Sequence, residues 1–208
     1  MTHPGVQTKS LGALAAEFLD RIHQRHPLIH HMTNWVVMND TANATLALGA
    51  LPVMSHAKEE VAEMVGAAGA LAGAGGEVKG VESVQGVADP AGVARMLASR
   101  RATVVAITGK RDIISDGTRV LGVDNGHELL KTVTGTGCMA TTVIAIFCAV
   151  ESDKLLATAA ALAVYGLAAQ KAARGARGPG SFRTALLDCL YNLTPAEVMR
   201  GARIVEIG

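Results

Sequence analysis

The chain has 208 residues, enough for one large domain with a substantial core or for two small ones. Half of its residues are apolar, yet only three Phe, two Tyr and one Trp are aromatic, so the core must be built from Ala, Val, Leu and Met. Nineteen basic side chains stand against eighteen acidic ones, and no basic stripe interleaved with aromatics occurs, which argues against nucleic acid as a partner.

Cys138, Cys148 and Cys189 have neither metal-type spacing nor the density of a disulfide scaffold, which points to a reducing, cytoplasmic setting. The N-terminus, Met1-Thr-His-Pro-Gly5, lacks the apolar centre of a signal peptide. Two uncharged runs approach membrane-spanning length. Residues 132–150 include Thr134-Gly-Thr-Gly137, which leaves only about thirteen helical residues, too few to cross a bilayer. Residues 155–170 are short and alanine-rich. Both read as buried core helices rather than membrane spans.

From the N-terminus, Leu11, Leu14, Ala15, Phe18, Leu19 and Ile22 follow helical spacing, with Ser10 as N-cap and Pro27 as the stop. Residues 28–32 read as a strand running into Thr33-Asn34. Ligands of open α/β sheets gather beyond the carboxyl ends of strands, so Asn34 is a candidate substrate contact. His30 and His31 read as hydrogen-bonded structural side chains. A helix is expected over 36–48, stopped by Gly49. Pro52-Val-Met54 reads as a short strand on which Met54, taken alone, is an ordinary core residue. Ser55 would cap a helix from Ala57 onward, with Glu59 and Glu60 in its first turn.

The alternation of strand and helix then falters. Residues 66–76 are a low-complexity run of Gly, Ala and Leu with no clear strand, either a flexible joint or a place where a piece is missing. After the polar residues 77–83, Asp89-Pro90 opens a helix to about Arg100. Residues 103–107, β-branched and almost wholly apolar, predict a central strand closed by Thr108-Gly109. Asp116-Gly117 between two apolar runs predicts a β-hairpin over 111–123, and Asn125-Gly126 a second turn. Helices are expected over 141–150, 154–173 and 181–193, the last capped by Ser181. A final short helix opens at the capping box Thr194-Pro-Ala-Glu197.

Thr134-Gly-Thr-Gly-Cys138 is the stretch around which the rest is organised. Two glycines in three residues allow a tight turn and close approach of the backbone to a ligand. The apolar run behind them places the turn at a helix N-terminus, where free amides and the helix dipole favour an anion, phosphate above all. A plain turn capping a core helix explains the same residues. Cys138 favours the first reading, because a thiol in the first helical turn has its thiolate stabilised.

Several stretches together resemble the hydroxyethylthiazole kinase family, the thiamine-salvage enzymes that phosphorylate 4-methyl-5-(2-hydroxyethyl)thiazole. His31-Met-Thr-Asn34, Asn39-Asp-Thr-Ala-Asn43 and Pro52-Val-Met-Ser-His-Ala-Lys-Glu-Glu60 are similar to its substrate region. Thr108-Gly-Lys-Arg-Asp112 and Ser115-Asp-Gly117 are similar to its nucleotide side. Thr134-Gly-Thr-Gly-Cys138 is similar to its catalytic turn and Gly180-Ser-Phe-Arg183 to its C-terminal loop.

The resemblance implies a single domain over residues 1–208 with a ribokinase-like three-layer α/β/α fold and a mostly parallel central sheet. It implies ATP and Mg²⁺, and a homotrimer with sites near subunit interfaces. Met54 would contact the thiazole, Gly135 would lie beside the substrate hydroxyl and Thr108 would contact ATP. Cys138 stands where related sugar kinases carry an aspartate base, and the amides of the turn, Gly135, Thr136, Gly137 and Cys138, would face the transferring phosphoryl group. No metal ligand is assigned.

The chain departs from that pattern near residues 69–73. There the family has several tens of further residues, with an Asn-Ile-Gly-Thr strand end, an Asp-Pro-Val-Gly-Ala-Gly loop and an Arg-Gly-Asn segment, implied to supply central strands, an ATP-binding arginine and acids that organise Mg²⁺. An internal deletion, a stretch left out of the written sequence, and a thiazole-binding remnant without activity are the three explanations. Free strand edges are an aggregation hazard, which favours the second. A cysteine hydrolase built on Cys138, with His127 as base, is a separate reading that nothing in the spacing supports.

Overall fold

The computed structural model describes residues 9–54, 60, 64, 66–73 and 89–207. Helix α1 (Leu11–Arg25) starts where Ser10 accepts the Ala13 amide at 3.2 Å, and it ends at His26 in the left-handed region (φ 44°). It buries Phe18, Leu19 and Ile22. Strand β1 (Leu28–Met32) leads to α2 (Met38–Ala47), then come β2 (Leu51–Val53) and β3 (Ala70–Gly73). The three strands form a parallel sheet in the order β2-β1-β3, with His30 opposite both Val53 and Leu71.

Helix α3 (Pro90–Arg101) is capped by Asp89, which accepts the Gly92 amide at 2.8 Å. Strands β4 (Val105–Ile107), β5 (Asp112–Ser115), β6 (Val120–Val123) and β7 (Ile204–Glu206) form a second, antiparallel sheet in that order. Between β6 and β7 run a 3₁₀ turn (Glu128–Thr132) and the helices α4 (Thr136–Val150), α5 (Lys154–Ala173), α6 (Pro179–Asn192) and α7 (Pro195–Gly201).

Helix α5 is the axis of the core. Its buried alanines, among them Ala157, Ala161 and Ala168, let α1, α4 and α6 approach closely, and Phe18, Phe147 and Phe182 fill the spaces between. At Gly166 the end of β6 also approaches closely: an added Cβ would lie 2.5 Å from the backbone carbon of Asn125. Asn125 in turn donates to Gly201 O and Gln170 Oε1, at 3.0 and 3.1 Å, and accepts from Arg203 N at 2.7 Å. One buried amide thereby ties the end of β6 to α5 and to the start of β7. By length and composition α5 is apolar enough to cross a membrane, but 78% of its most apolar window is buried inside the protein, as a core helix requires.

The fold is mixed α/β, and several expectations need correcting. In place of one mostly parallel central sheet there are two sheets, one parallel and one antiparallel, and among the described residues no strand joins them. The predicted central strand is β4, three residues long and, among the described residues, at an edge, where β5 alone pairs with it. A strand, β3, lies where none was expected; the parallel ladder to β1 overrides the weak strand propensity of Ala and Gly. Helix α4 begins at Thr136 rather than at residue 141, because the first turn absorbs the second glycine of the motif. Helix α6 begins at Pro179, so Ser181 lies inside its first turn, accepting the Arg177 amide at 2.9 Å, instead of capping it. The Ser55-capped helix falls outside the described residues, apart from isolated positions.

Candidate active site

Three segments converge at one end of α4. Strand β1 ends in the turn that starts α2, where Asn34 Oδ1 accepts the Val36 amide at 3.0 Å and Asn34 O accepts the Met38 amide at 3.0 Å. Gly135 sits against that helix with φ +90°, a conformation that side chains resist; an added Cβ would lie 3.2 Å from Val37 Cγ1 and 3.4 Å from Asp40 Oδ2. The backbone angle therefore favours glycine, and the space beside Val37 is tight for a side chain.

The first intrahelical bond of α4 runs from Met139 N to Gly135 O at 2.8 Å, which leaves the amides of Thr136, Gly137 and Cys138 ahead of the helical ladder. In α1, α3, α5 and α7 a Ser, Asp or Thr side chain caps the corresponding amides, but α4 has no side-chain cap. An added Cβ at Gly137 would meet nothing within 4 Å, so the backbone faces open space there. Uncapped amides at the positive end of a 15-residue helix, behind an open approach, form an anion cradle.

The cradle is held from two sides. The Tyr165 hydroxyl donates to Thr136 O at 2.9 Å from inside the core. Burial pushes this phenol above its ordinary pKa, and the charges of Asp40 and Cys138 add to that, so it remains a donor at any working pH. The Thr136 hydroxyl donates to Leu130 O at 2.6 Å and lies 3.0 Å from Val133 O, so this side chain anchors the turn and only its amide is left for a ligand. On the opposite side Arg183 of α6 donates through Nε to Asp40 Oδ1 at 3.0 Å, and its Nη2 reaches the same oxygen. Asp40 is 6% exposed, and its second oxygen is the one nearest Gly135.

Cys138 is half-buried in the first turn of α4. Asn34 is exposed and Met54, just past β2, is half-buried; both lie at the carboxyl ends of parallel strands, the same end of the sheet. Thr108 is exposed at the end of β4 and so belongs to the second sheet. The structure thus groups Asn34, Gly135, Thr136, Gly137 and Cys138 around the start of α2, while Thr108 stands on the other sheet. Asp40, Tyr165 and Arg183 were not assigned roles from sequence, although Asp40 and Arg183 lie inside the family-like stretches. Asp40 is the one charged side chain on the buried face of α2, beside Thr41, Ala44 and Thr45.

His31 donates from Nε2 to Thr45 Oγ1 at 3.0 Å, while Thr45 donates to Thr41 O at 2.8 Å. Burial, and secondarily His30, hold its pKa down at about 4. His127 accepts the Leu129 amide at 3.2 Å and caps the 3₁₀ turn, so its geometry is that of a structural residue.

A magnesium site built by the protein needs gathered oxygen ligands. Among the described residues no group of three or more His, Cys, Asp or Glu side chains is gathered. Asp116 and Asp124 are each engaged by an arginine, Arg119 and Arg111. Asp112 accepts the Gly109 amide at 2.9 Å, and burial pushes its pKa up to about 6. The described residues fit a phosphate but not a dedicated magnesium cage.

The fold is mixed α/β, and the uncapped glycine turn at the start of α4 offers free amides to an anion beside the strand ends of the parallel sheet. The hydroxyethylthiazole kinase family model matches residues 19–73 and 69–196. A hydroxyethylthiazole kinase of Desulforudis audaxviator is 48% identical, covering 92% of this chain and 95% of its own, and one of Chloroflexus aggregans is 46% identical over 92% and 94%. The solved structure of the hydroxyethylthiazole kinase protein of Pyrococcus horikoshii superposes with a TM-score of 0.84 at 34% identity, covering 94% of this chain and 99% of its own. The chain belongs to the hydroxyethylthiazole kinase family.

The same comparisons locate the departure. The Desulforudis alignment runs over 260 positions, more than the 208 residues available here, so that relative carries a stretch with no counterpart. The two family matches meet at 69–73, which is where β3 lies.

Proposed function

We propose that the chain is a kinase of thiamine salvage that transfers the γ-phosphoryl group of ATP to the hydroxyl of 4-methyl-5-(2-hydroxyethyl)thiazole. The reading rests on the α4 cradle, in which uncapped amides, a thiol and a glycine with a positive φ stand together beside the strand ends of the parallel sheet.

Phosphoryl transfer needs an alcohol in line with the phosphorus, and donors aimed at the charge on the transferring oxygens. In this reading Asn34 and Met54 orient the thiazole, Gly135 lets its hydroxyl come close, and the amides of Thr136, Gly137 and Cys138 stabilise the equatorial oxygens. The alcohol oxygen bonds to the γ-phosphorus as the bond to the β-bridging oxygen breaks. The alcohol proton passes to Cys138 Sγ, and ADP leaves. Removing a general base of this kind costs about 10²–10⁴-fold in rate. Thr108 is assigned to the nucleotide. Magnesium is expected to travel with the phosphates, where it would neutralise their charge. A single domain in a cytoplasmic homotrimer completes the proposal; exposed Met32 and Val36 beside the site supply apolar surface for a subunit contact.

Coupled ADP release with and without the thiazole alcohol tests the reading. Turnover that depends on the alcohol and falls at least about 100-fold in Cys138→Ala supports it. Full turnover in Cys138→Ala rejects the assigned base, and ADP release that ignores the alcohol rejects the substrate.

A further inference from the structure

A trans peptide unit joins a carbonyl to the amide of the next residue, and the two point in opposite directions. The Thr136–Gly137 peptide of α4 uses both ends. Its amide lies ahead of the helical ladder, on an exposed glycine where an added Cβ would meet nothing within 4 Å. Its oxygen points into the core, where the Tyr165 hydroxyl of α5 donates to it at 2.9 Å. Tyr165 is 4% exposed and packs in the main core, so this bond is shielded from water.

A buried tyrosine hydroxyl needs an acceptor, and any carbonyl would satisfy it. Two observations set this one apart. As a carbonyl of α4, Thr136 O already has a ladder partner in the Ala140 amide one turn on, so the phenol adds a second bond rather than rescuing an orphan. The Thr136 side chain is fixed as well, its hydroxyl donating to Leu130 O at 2.6 Å. The peptide is therefore held at its oxygen and through its side chain before a ligand arrives. Donation to a carbonyl draws charge toward the oxygen through the conjugated C–N bond. The attached N–H becomes more positive, and the effect is largest where water is excluded.

The next peptide supplies a comparison within the molecule. Gly137 O accepts the Thr141 hydroxyl at 3.2 Å, which acts in the same way on the Cys138 amide. That bond is longer, belongs to an exposed residue and is the ordinary back-bond of a helical threonine. The two amides are thus polarised unequally, Gly137 more than Cys138.

We propose that Tyr165 is a positioning residue for phosphoryl transfer: by donating to Thr136 O it fixes and polarises the Thr136–Gly137 peptide, so that the Gly137 amide meets the transferring oxygens as a strengthened donor. The proposal rests on the assignment of the turn amides to those oxygens. The alcohol is placed beside Gly135 and not on the Gly137 amide, so Tyr165 acts on turnover rather than on capture of the alcohol.

Tyr165→Phe removes the hydroxyl and keeps the ring, and Thr136 O keeps its ladder bond, so the fold is retained. With ATP and the thiazole alcohol the turnover number should fall about three- to tenfold, while the Michaelis constant for the alcohol stays within about twofold. Thr141→Val should lower turnover less than Tyr165→Phe does. Leu162→Val, on α5 but in the core cluster of the antiparallel sheet, should lower the urea midpoint without changing turnover. In amide-nitrogen spectra of Tyr165→Phe, the largest change within α4 should fall at Gly137. An unchanged turnover number in folded Tyr165→Phe overturns the proposal. An equal fall in Leu162→Val also overturns it, since the effect would then be one of core packing. If the parent shows no alcohol-dependent ADP release, the kinase reading fails, and titration of inorganic phosphate against the Gly137 amide decides this inference separately. Weakening of at least about threefold in Tyr165→Phe keeps it; an equal response in both chains, or none in the parent, overturns it.

Discussion

The parallel sheet and the antiparallel sheet are held by different kinds of information. In the antiparallel sheet β5 and β6 are joined by the four residues 116–119, with Ser115 Oγ accepting the Gly117 amide at 3.0 Å and Asp116 Oδ1 accepting the Thr118 amide at 2.9 Å, so the register of that pair is fixed locally. In the parallel sheet every pairing is made across a connection, and β1 is held in place by what packs on it: Ile29 in the main core and His31 on Thr45. Of the residues assigned to the site, only Thr108 stands beside the antiparallel sheet. The sheet fixed by packing leads directly into the cradle. The candidate site is therefore positioned by long-range packing, and α4 packs against both β1 and β3.

Substitutions should separate the two halves. The largest effect is expected for Gly135→Val, which combines a resisted backbone angle with a clash against Val37 and Asp40. It should lower phosphorylation at least about 100-fold and destabilise the chain by about 1–3 kcal/mol, while amide exchange in β5 and β6 stays as in the parent. Asp40→Ala comes next. It leaves the half-exposed Arg183 without its carboxylate and removes one wall of the cradle, at a cost of about 1–2 kcal/mol by urea unfolding. The Michaelis constant for the thiazole alcohol should rise more than the turnover number falls.

Two titrating groups shifted by burial, one in each half, then give opposite pH dependences. His31 is held at about 4, against 6.5 for a free histidine, so the unfolded chain takes up its proton first and stability is lost as pH falls from about 6.5 toward 4. Asp112 is pushed up to about 6 from 3.8, so its contribution is complete below about 4 and is lost as pH rises toward 6. Relative to the parent, Asp112→Asn should make stability rise more steeply with pH between 4 and 6, and His31→Gln should make it rise less steeply. Each difference is on the order of 2 kcal/mol in denaturation midpoints followed across that range. The smallest effect is expected at the exposed pair of Arg111 and Asp124: Arg111→Ala should change stability by less than about 1 kcal/mol.

Local signals made much of the fold legible in the sequence. The Ser10, Asp89 and Thr194 caps, the Asp116-Gly117 hairpin and the helix over 154–173 all stand where their residue patterns put them. What failed depends on partners outside the window being read. Val105–Ile107 has the composition of a central strand but lies at an edge, because the neighbour its sequence anticipates is absent among the described residues. Ala70–Gly73 has poor strand composition but is a strand, because β1 offers it a ladder. At the site, the glycine turn could be read from its spacing, whereas Asp40, Arg183 and Tyr165 come to it from helices far apart in the chain.

The most direct measurement is phosphorus NMR of the purified chain with ATP and 4-methyl-5-(2-hydroxyethyl)thiazole. The account predicts a phosphomonoester resonance that grows in step with ADP, needs both substrates and is lost in Gly135→Val. Release of inorganic phosphate alone, or no change in ATP while the thiazole alcohol is bound, would contradict it and leave a binding protein with the shape of a kinase.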